Sequence, residues 1–137
     1  MKYFDHDIRI RYAETDQMGV CYYANYFTWF EIGRTEYFRA LGLPYTHYEK
    51  RGILLPVGKA YCRYHKPIRY DDCITIRTWI THLKKASIRF AYSIRFKNSD
   101  QTVAQGYTTH IFADSSLKPC AIPDDIRDRV ELHSEKS

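Results

Sequence analysis

Residues Ile8, Ile10 and Tyr12 alternate with Arg9 and Arg11, and this period of two marks a first strand. The segment from Glu14 to Ala24 has no clean period and contains Gly19, so it reads as a loop. From about Ala24 to Leu41 the period lengthens. Tyr26, Phe30, Gly33, Tyr37 and Leu41 form one stripe of a helix, with Phe27, Arg34 and Phe38 beside it. A helix so wide and aromatic is expected to be mostly buried. Glycine is costly inside a helix unless a neighbour must come close, so Gly33 predicts tight packing on a sheet. Gly42-Leu43-Pro44 supplies the stop.

Four more strands are expected. Between Val57 and His65, Gly58, Ala60 and Cys62 alternate with Lys59, Tyr61 and Arg63. Ile74, Ile76, Thr78 and Ile80 share a face opposite Trp79. Ile88, Phe90, Tyr92, Ile94 and Phe96 alternate with Arg89, Ala91, Ser93, Arg95 and Lys97. Val103, Gln105, Tyr107, Thr109 and Ile111 trace the last strand. The connections at Lys84-Lys85 and Asn98-Ser99-Asp100 are short, so these last three strands form an antiparallel meander. A short helix is expected from Pro123 to Leu132, with a frayed tail from His133 onward. One long helix and a mostly antiparallel sheet make an α+β chain, organised as a single domain over residues 1–137.

Composition narrows the class. Hydrophobic residues make up 45% and aromatic residues 16% of 137 positions, enough to bury a core and too many for a disordered chain. The N-terminal MKYFDHDIRIRY has no long apolar run, so neither a signal peptide nor an anchor is expected, and no segment is long and apolar enough to span a membrane. The four cysteines, Cys21, Cys62, Cys73 and Cys120, form no CxxC pair. They read as reduced thiols of a cytoplasmic protein. The six histidines show no paired metal spacing, so no metal is expected. A formal net charge of +5 fits ordinary solubility or an anionic partner, either nucleic acid or a small molecule bearing phosphate.

The candidate chemistry lies in AETDQMGVCYYANYFTWFE. Asp16 stands seven positions before Tyr23, at what reads as the first turn of the long helix. The N–H groups that open a helix are unpaired and carry about half a positive charge. They can hold a developing oxyanion while a nearby carboxylate attacks a carbonyl or activates a water. The plainer reading of Asp16 is a turn cap. Glu14, two positions earlier, is expected to be solvated or salt-bridged. Asn25 is expected to bridge loop and helix, and Tyr12, Tyr22 and Tyr26 to serve as core or pocket wall.

Thr15, Asp16, Gly19, Val20, Tyr22, Asn25 and Tyr26, spaced as T-D-x-x-G-V-x-Y-x-x-N-Y, resemble the acyl-CoA thioesterases of the hotdog fold. Within them, the 4-hydroxybenzoyl-CoA thioesterase group and its bacterial short-chain relatives are most similar. Trp29-Phe30-Glu31, Arg34, the Gly42 stop and the strand ladder to about Ala113 also match that layout. The resemblance implies a five-stranded antiparallel sheet wrapped around one long central helix, in a homodimer or homotetramer with sites between protomers. It makes Asp16 the catalytic acid and the backbone N–H of Tyr23 the oxyanion donor. Gly19, Tyr22, Asn25 and Tyr26 then form the substrate site. Lys84, Lys85, Ser87 and Arg89 reach the coenzyme A phosphates, although their plainer reading is a solvated turn. Coenzyme A is part of the substrate, so no cofactor is implied. Many relatives carry His where this chain has Tyr23. A backbone donor tolerates that change, whereas an imidazole role there does not. Two other readings stay open. One is a nucleic-acid-binding module, suggested by tyrosines interleaved with Arg and Lys. The other is a hotdog protein that binds acyl-CoA or acyl carrier protein without hydrolysing it.

Overall fold

The computed structural model describes residues 3–134. Strand β1 spans Phe4–Arg9, followed by a single 3₁₀ turn at Tyr12–Glu14 and the long helix α1 at Asn25–Ala40. A short helix α2 at Tyr45–Glu49 precedes β2, Val57–Tyr64. Strands β3, Cys73–Leu83, β4, Ser87–Phe96, and β5, Thr102–Ile111, form the meander, and α3 closes the chain at Asp124–Ser134. The five strands make one antiparallel sheet in the order β1-β3-β4-β5-β2. The sheet wraps α1, which is the hotdog arrangement.

The predicted stripe is the buried one: Tyr26, Phe30, Gly33 and Tyr37 all face the sheet, and Leu41 closes the stripe. The helix ends where Gly42 is met. The N–H of Leu43 reaches back to the carbonyl of Phe38 at 2.8 Å and that of Gly42 to Arg39 at 3.0 Å, a Schellman closure. Opposite the stripe, β4 offers Ile88, Phe90, Tyr92 and Ile94, with Phe30 stacked on Tyr92 at 4.2 Å between ring centroids. Gly33 lies over β3. A Cβ there would stand 2.5 Å from Thr78 Oγ1 and 2.9 Å from Ile76 Cγ2. Beneath the Phe30 ring, a Cβ on Gly106 of β5 would meet the Tyr61 carbonyl oxygen at 2.1 Å. Two missing side chains therefore set how closely the aromatic helix approaches its sheet.

Several expectations shift. The first strand lies earlier than Ile8–Tyr12. At Ile10 the chain leaves β1, its N–H donating to the Asp72 carbonyl at 2.8 Å, and Tyr12 ends up in the 3₁₀ turn, 76% exposed. Along β5 the inward residues are Ala104, Gly106, Thr108 and His110, because they pair across with inward Ile94, Tyr92, Phe90 and Ile88. Gln105, Tyr107, Thr109 and Ile111 therefore form the outer face. The terminal helix continues through His133 to Ser134, where a tail was expected; the rest of that tail lies outside the described residues. The short helix α2 was not expected.

The inward polar residues of β5 are tolerated because they satisfy one another. His110 Nδ1 lies 3.0 Å from the Leu55 carbonyl, which only accepts, so Nδ1 carries the proton. With the ring neutral, Nε2 accepts from Thr108 Oγ1 at 2.8 Å, and Thr108 in turn accepts from the Tyr92 hydroxyl at 2.6 Å. Burial pushes the His110 imidazole down to about 4, opposed by its bond to Leu55 and reinforced by the charge of Arg34.

Two predictions follow from this packing. Gly33→Ala gains about 1 kcal/mol of helix propensity but overpacks a closed contact at about 1–3 kcal/mol, so the variant unfolds at lower denaturant than wild type. A depressed histidine binds its proton more weakly folded than unfolded, so its contribution to stability is full above about 6.5 and lost as pH falls towards about 4. Thermal melts across that window should show a drop that is smaller in His110→Gln; an equal drop in both would refute it.

Candidate active site

Between the 3₁₀ turn and α1 the chain makes a small hairpin bridged at Thr15 and Cys21. Its turn is closed by the N–H of Gly19 on the Asp16 carbonyl at 3.0 Å and the N–H of Asp16 on the Val20 carbonyl at 2.9 Å. Gly19 has φ of +79°, in the left-handed region that glycine occupies without strain. Asp16 Oδ1 accepts from the Met18 N–H at 2.9 Å, so this residue does cap its own turn. Its other oxygen has no hydrogen bond among the described residues, and the side chain is half-buried.

Glu14 fastens this hairpin to the helix. It is buried and paired with Arg11, so of the two expected alternatives the salt-bridged one holds and the solvated one does not. Oε2 accepts from the Trp29 indole at 2.7 Å, and Oε1 accepts from the Arg11 N–H at 2.8 Å, with the Arg11 guanidinium 3.6 Å away. The Glu14 carbonyl accepts from the Tyr22 N–H and from Asn25 Nδ2, both at 2.9 Å. Asn25 is thereby committed to joining loop and helix. Nothing in the sequence pattern pairs Glu14 with Trp29, fifteen positions away.

At the start of α1, the carbonyls of Tyr22 and Tyr23 accept from Asn25 and Tyr26. The N–H groups of Tyr23 and Ala24 have no partner among the described residues, and no side chain caps the helix. Tyr23 lines a cleft of about 350 Å³, together with Asp16, Tyr26, Tyr64, His65 and Lys66. Tyr64 donates its hydroxyl to the Tyr23 carbonyl at 3.2 Å and packs edge-on against Tyr26 at 4.7 Å. Burial raises the Tyr64 phenol to about 12, and burial with the charges of Glu14, Asp72 and Asp16 raises the Cys21 thiol to about 12. Cys21 is thus a neutral thiol beside the cleft and a poor nucleophile.

Of the expected site residues, Asp16, Tyr23 and Tyr26 line this cleft, Gly19 shapes its turn, and Tyr22 packs on Tyr23 at 4.8 Å. Tyr64, at the end of β2, was not among them. Lys84, Lys85, Ser87 and Arg89 are not brought here by the same chain. Ser87 and Arg89 pair with Ile111 and Thr109, level with the Val57 end of β2, whereas the cleft lies at the Tyr64 end. Seven strand residues separate the ends, roughly 23 Å. Arg89 instead donates to Thr109 Oγ1 at 2.9 Å and lies over the Tyr107 ring at 4.2 Å. Among the described residues there is no cluster able to hold a metal ion, and no helix is long and apolar enough to cross a membrane.

Comparison with known proteins agrees with this architecture. The chain is 37% identical to YneP of Bacillus subtilis over 123 residues, covering 86% of this chain and 88% of that protein. It is 29% identical to the acyl-CoA thioester hydrolase YbgC of Escherichia coli over 126 residues, with 87% and 89% covered. The crystal structure of DHNA-CoA thioesterase from Staphylococcus aureus superposes with a TM-score of 0.89 at 34% identity, over 98% of this chain and 91% of that one. Residues 10–130 match the family model of the thioesterase-like superfamily, and the chain belongs to that family.

Proposed function

We propose that this chain hydrolyses acyl-CoA thioesters to a carboxylic acid and free coenzyme A. The observation that carries the reading is that Asp16 and Tyr23, whose N–H has no partner among the described residues, line one cleft. The thioester oxygen accepts from the Tyr23 N–H, where the helix end favours the charge that develops in the tetrahedral transition state. Asp16 either attacks the carbonyl carbon, giving a mixed anhydride that water then cleaves, or takes a proton from the attacking water. On both routes the C–S bond breaks and the coenzyme A thiolate leaves. Tyr26 and Tyr64 form the apolar wall beside the reacting group. Coenzyme A enters with the substrate, and the chemistry needs no metal or cofactor.

A homo-oligomer supports this reading better than a single chain. Strand β2 is an edge with one neighbour, exposed along nearly its whole length, including Val57, Tyr61 and Tyr64. Such an edge is a template for a second strand. Two copies pairing antiparallel through β2 bring the Val57 end of one beside the Tyr64 end of the other. Lys84, Lys85, Ser87 and Arg89 of one copy then approach the cleft of its partner, where they can attract the coenzyme A phosphates. The unbridged cysteines fit a reducing, cytoplasmic setting.

Asp16→Asn keeps the turn cap and removes the charge. It should lower kcat/KM for thiol release by about 10²–10⁴-fold across an acyl-CoA panel while leaving the thermal melt unchanged. Near-normal turnover in that variant would remove Asp16 from the chemistry, and no release by wild type from any thioester would favour a binding role. Light scattering on the eluting protein should give at least twice the chain mass; a monomer that cleaves acyl-CoA would refute the paired-edge arrangement.

A further inference from the structure

The far half of α1 borders a second cavity. It is about 350 Å³ in volume, walled by Arg34, Phe38, Tyr45, Tyr48, Leu55 and Phe90. A smaller pocket of about 270 Å³ adjoins it across Arg34 and reaches Phe27, Ala60 and Thr108. Arg34 is half-buried and borders both. Its guanidinium forms no ion pair among the described residues. Its charge acts on the phenol of Tyr92, with which it also shares a side-chain hydrogen bond, on that of Tyr48 and on the His110 imidazole. Tyr92 and His110 are already committed to the buried chain through Thr108. Glu31, one turn earlier on α1, borders the same cavities but is exposed.

A half-buried cation whose acidic neighbour, Glu31, is exposed and makes no direct ion pair with it is incompletely balanced, and an anion delivered by a ligand relieves it. The guanidinium offers a planar fork that matches a carboxylate. Aromatic and aliphatic walls on the same cavity suit an apolar body behind that group. Along α1, Arg34 lies eleven residues beyond Tyr23, about 16 Å, so the cavity is not the Asp16 cleft of the same chain.

We propose that the Arg34 cavity binds the carboxylate of a small organic acid with an apolar body. Two sources share this chemistry, a free acid and the distal carboxylate of an acyl group. The binding test stands whether or not the chain cleaves thioesters.

The probe is benzoate, with benzamide as its neutral counterpart, followed by nuclear magnetic resonance shifts of the Leu55 and Phe90 amides. Benzoate should bind saturably and benzamide more weakly. Arg34→Gln should weaken benzoate by about tenfold, the loss of one charge-assisted hydrogen bond. Glu31→Gln, at an exposed position, should tighten it by about twofold through loss of a repelling charge. Asp16→Asn should bind as wild type does. Equal binding of benzoate and benzamide, or affinities unmoved by both charge changes, would overturn the proposal. A preference for glutaryl-CoA over valeryl-CoA that Arg34→Gln erases identifies the acyl group as the source. Benzoate binding without that preference identifies a free acid.

Discussion

The candidate site depends on one buried carboxylate. Glu14 holds the Trp29 indole and the Arg11 amide with its side chain, and Tyr22 and Asn25 with its carbonyl. Hydrogen bonds to an ionised group contribute about 1.5–3 kcal/mol each, against well under that for an exposed ion pair. Trp29 is wholly buried, so this anchor reaches into the core. The effect is to give the loop a fixed register against the second turn of α1. Asp16 sits two residues beyond the anchor and Tyr23 nine, and both segments are tied to the same residue. Loop and helix cannot slide without breaking bonds to a desolvated charge. Glu14 thus positions the site without facing its cleft.

The helix that carries the amides is placed by the opposite device, the absence of side chains. Gly33 and Gly106 let α1 lie close over β3 and β5, and Phe30 stacks on Tyr92 between them. Ring stacking adds about 0.5–1.5 kcal/mol to the area that these rings bury. Thr78 Oγ1, under Gly33, is buried without a hydrogen bond, which normally costs about 1–3 kcal/mol. The close contact is therefore kept at the expense of an unsatisfied hydroxyl. A chain that tolerates this has packing gains large enough to outweigh it.

What could be read from sequence follows the range of the interactions. The helix stripe, its Schellman stop and the meander rest on neighbours within a few residues, and patterning exposes them. The inward face of β5 could not be read that way. Its inward members are Ala104, Gly106, Thr108 and His110, and only the hydrogen-bond chain from Tyr92 to Leu55 makes Thr108 and His110 acceptable there. The Glu14 ion pair with Arg11 is local and could be read, but its burial could not, because Trp29 is fifteen positions away on another element. At the site, Asp16 and Tyr23 stood out through the motif and the helix start. Tyr64 comes from the far edge strand and had no local signal. The basic hairpin was legible as charge, but its place at the other end of the sheet depends on strand register.

The start of α1 breaks the rules that normally stabilise a helix. Ala24 occupies the N-cap without a capping side chain, and the first turn contains no acidic residue. Replacing a good N-cap by alanine costs about 1 kcal/mol. Serine or aspartate at that position would recover this stability by accepting from the Tyr26 or Phe27 N–H, one turn into the helix. It would leave the N–H groups of Tyr23 and Ala24 without a partner among the described residues, as they are now. The nearby Asn25 could have turned to the helix end, yet its amide is spent on the Glu14 carbonyl. Asp16 supplies negative charge from the adjoining hairpin, with Oδ1 engaged by Met18 and not by α1. The helix end is left positive and uncovered beside the one carboxylate of its cleft. Local stability is lost where an acyl oxygen would bind, and the Glu14 anchor compensates for it from below.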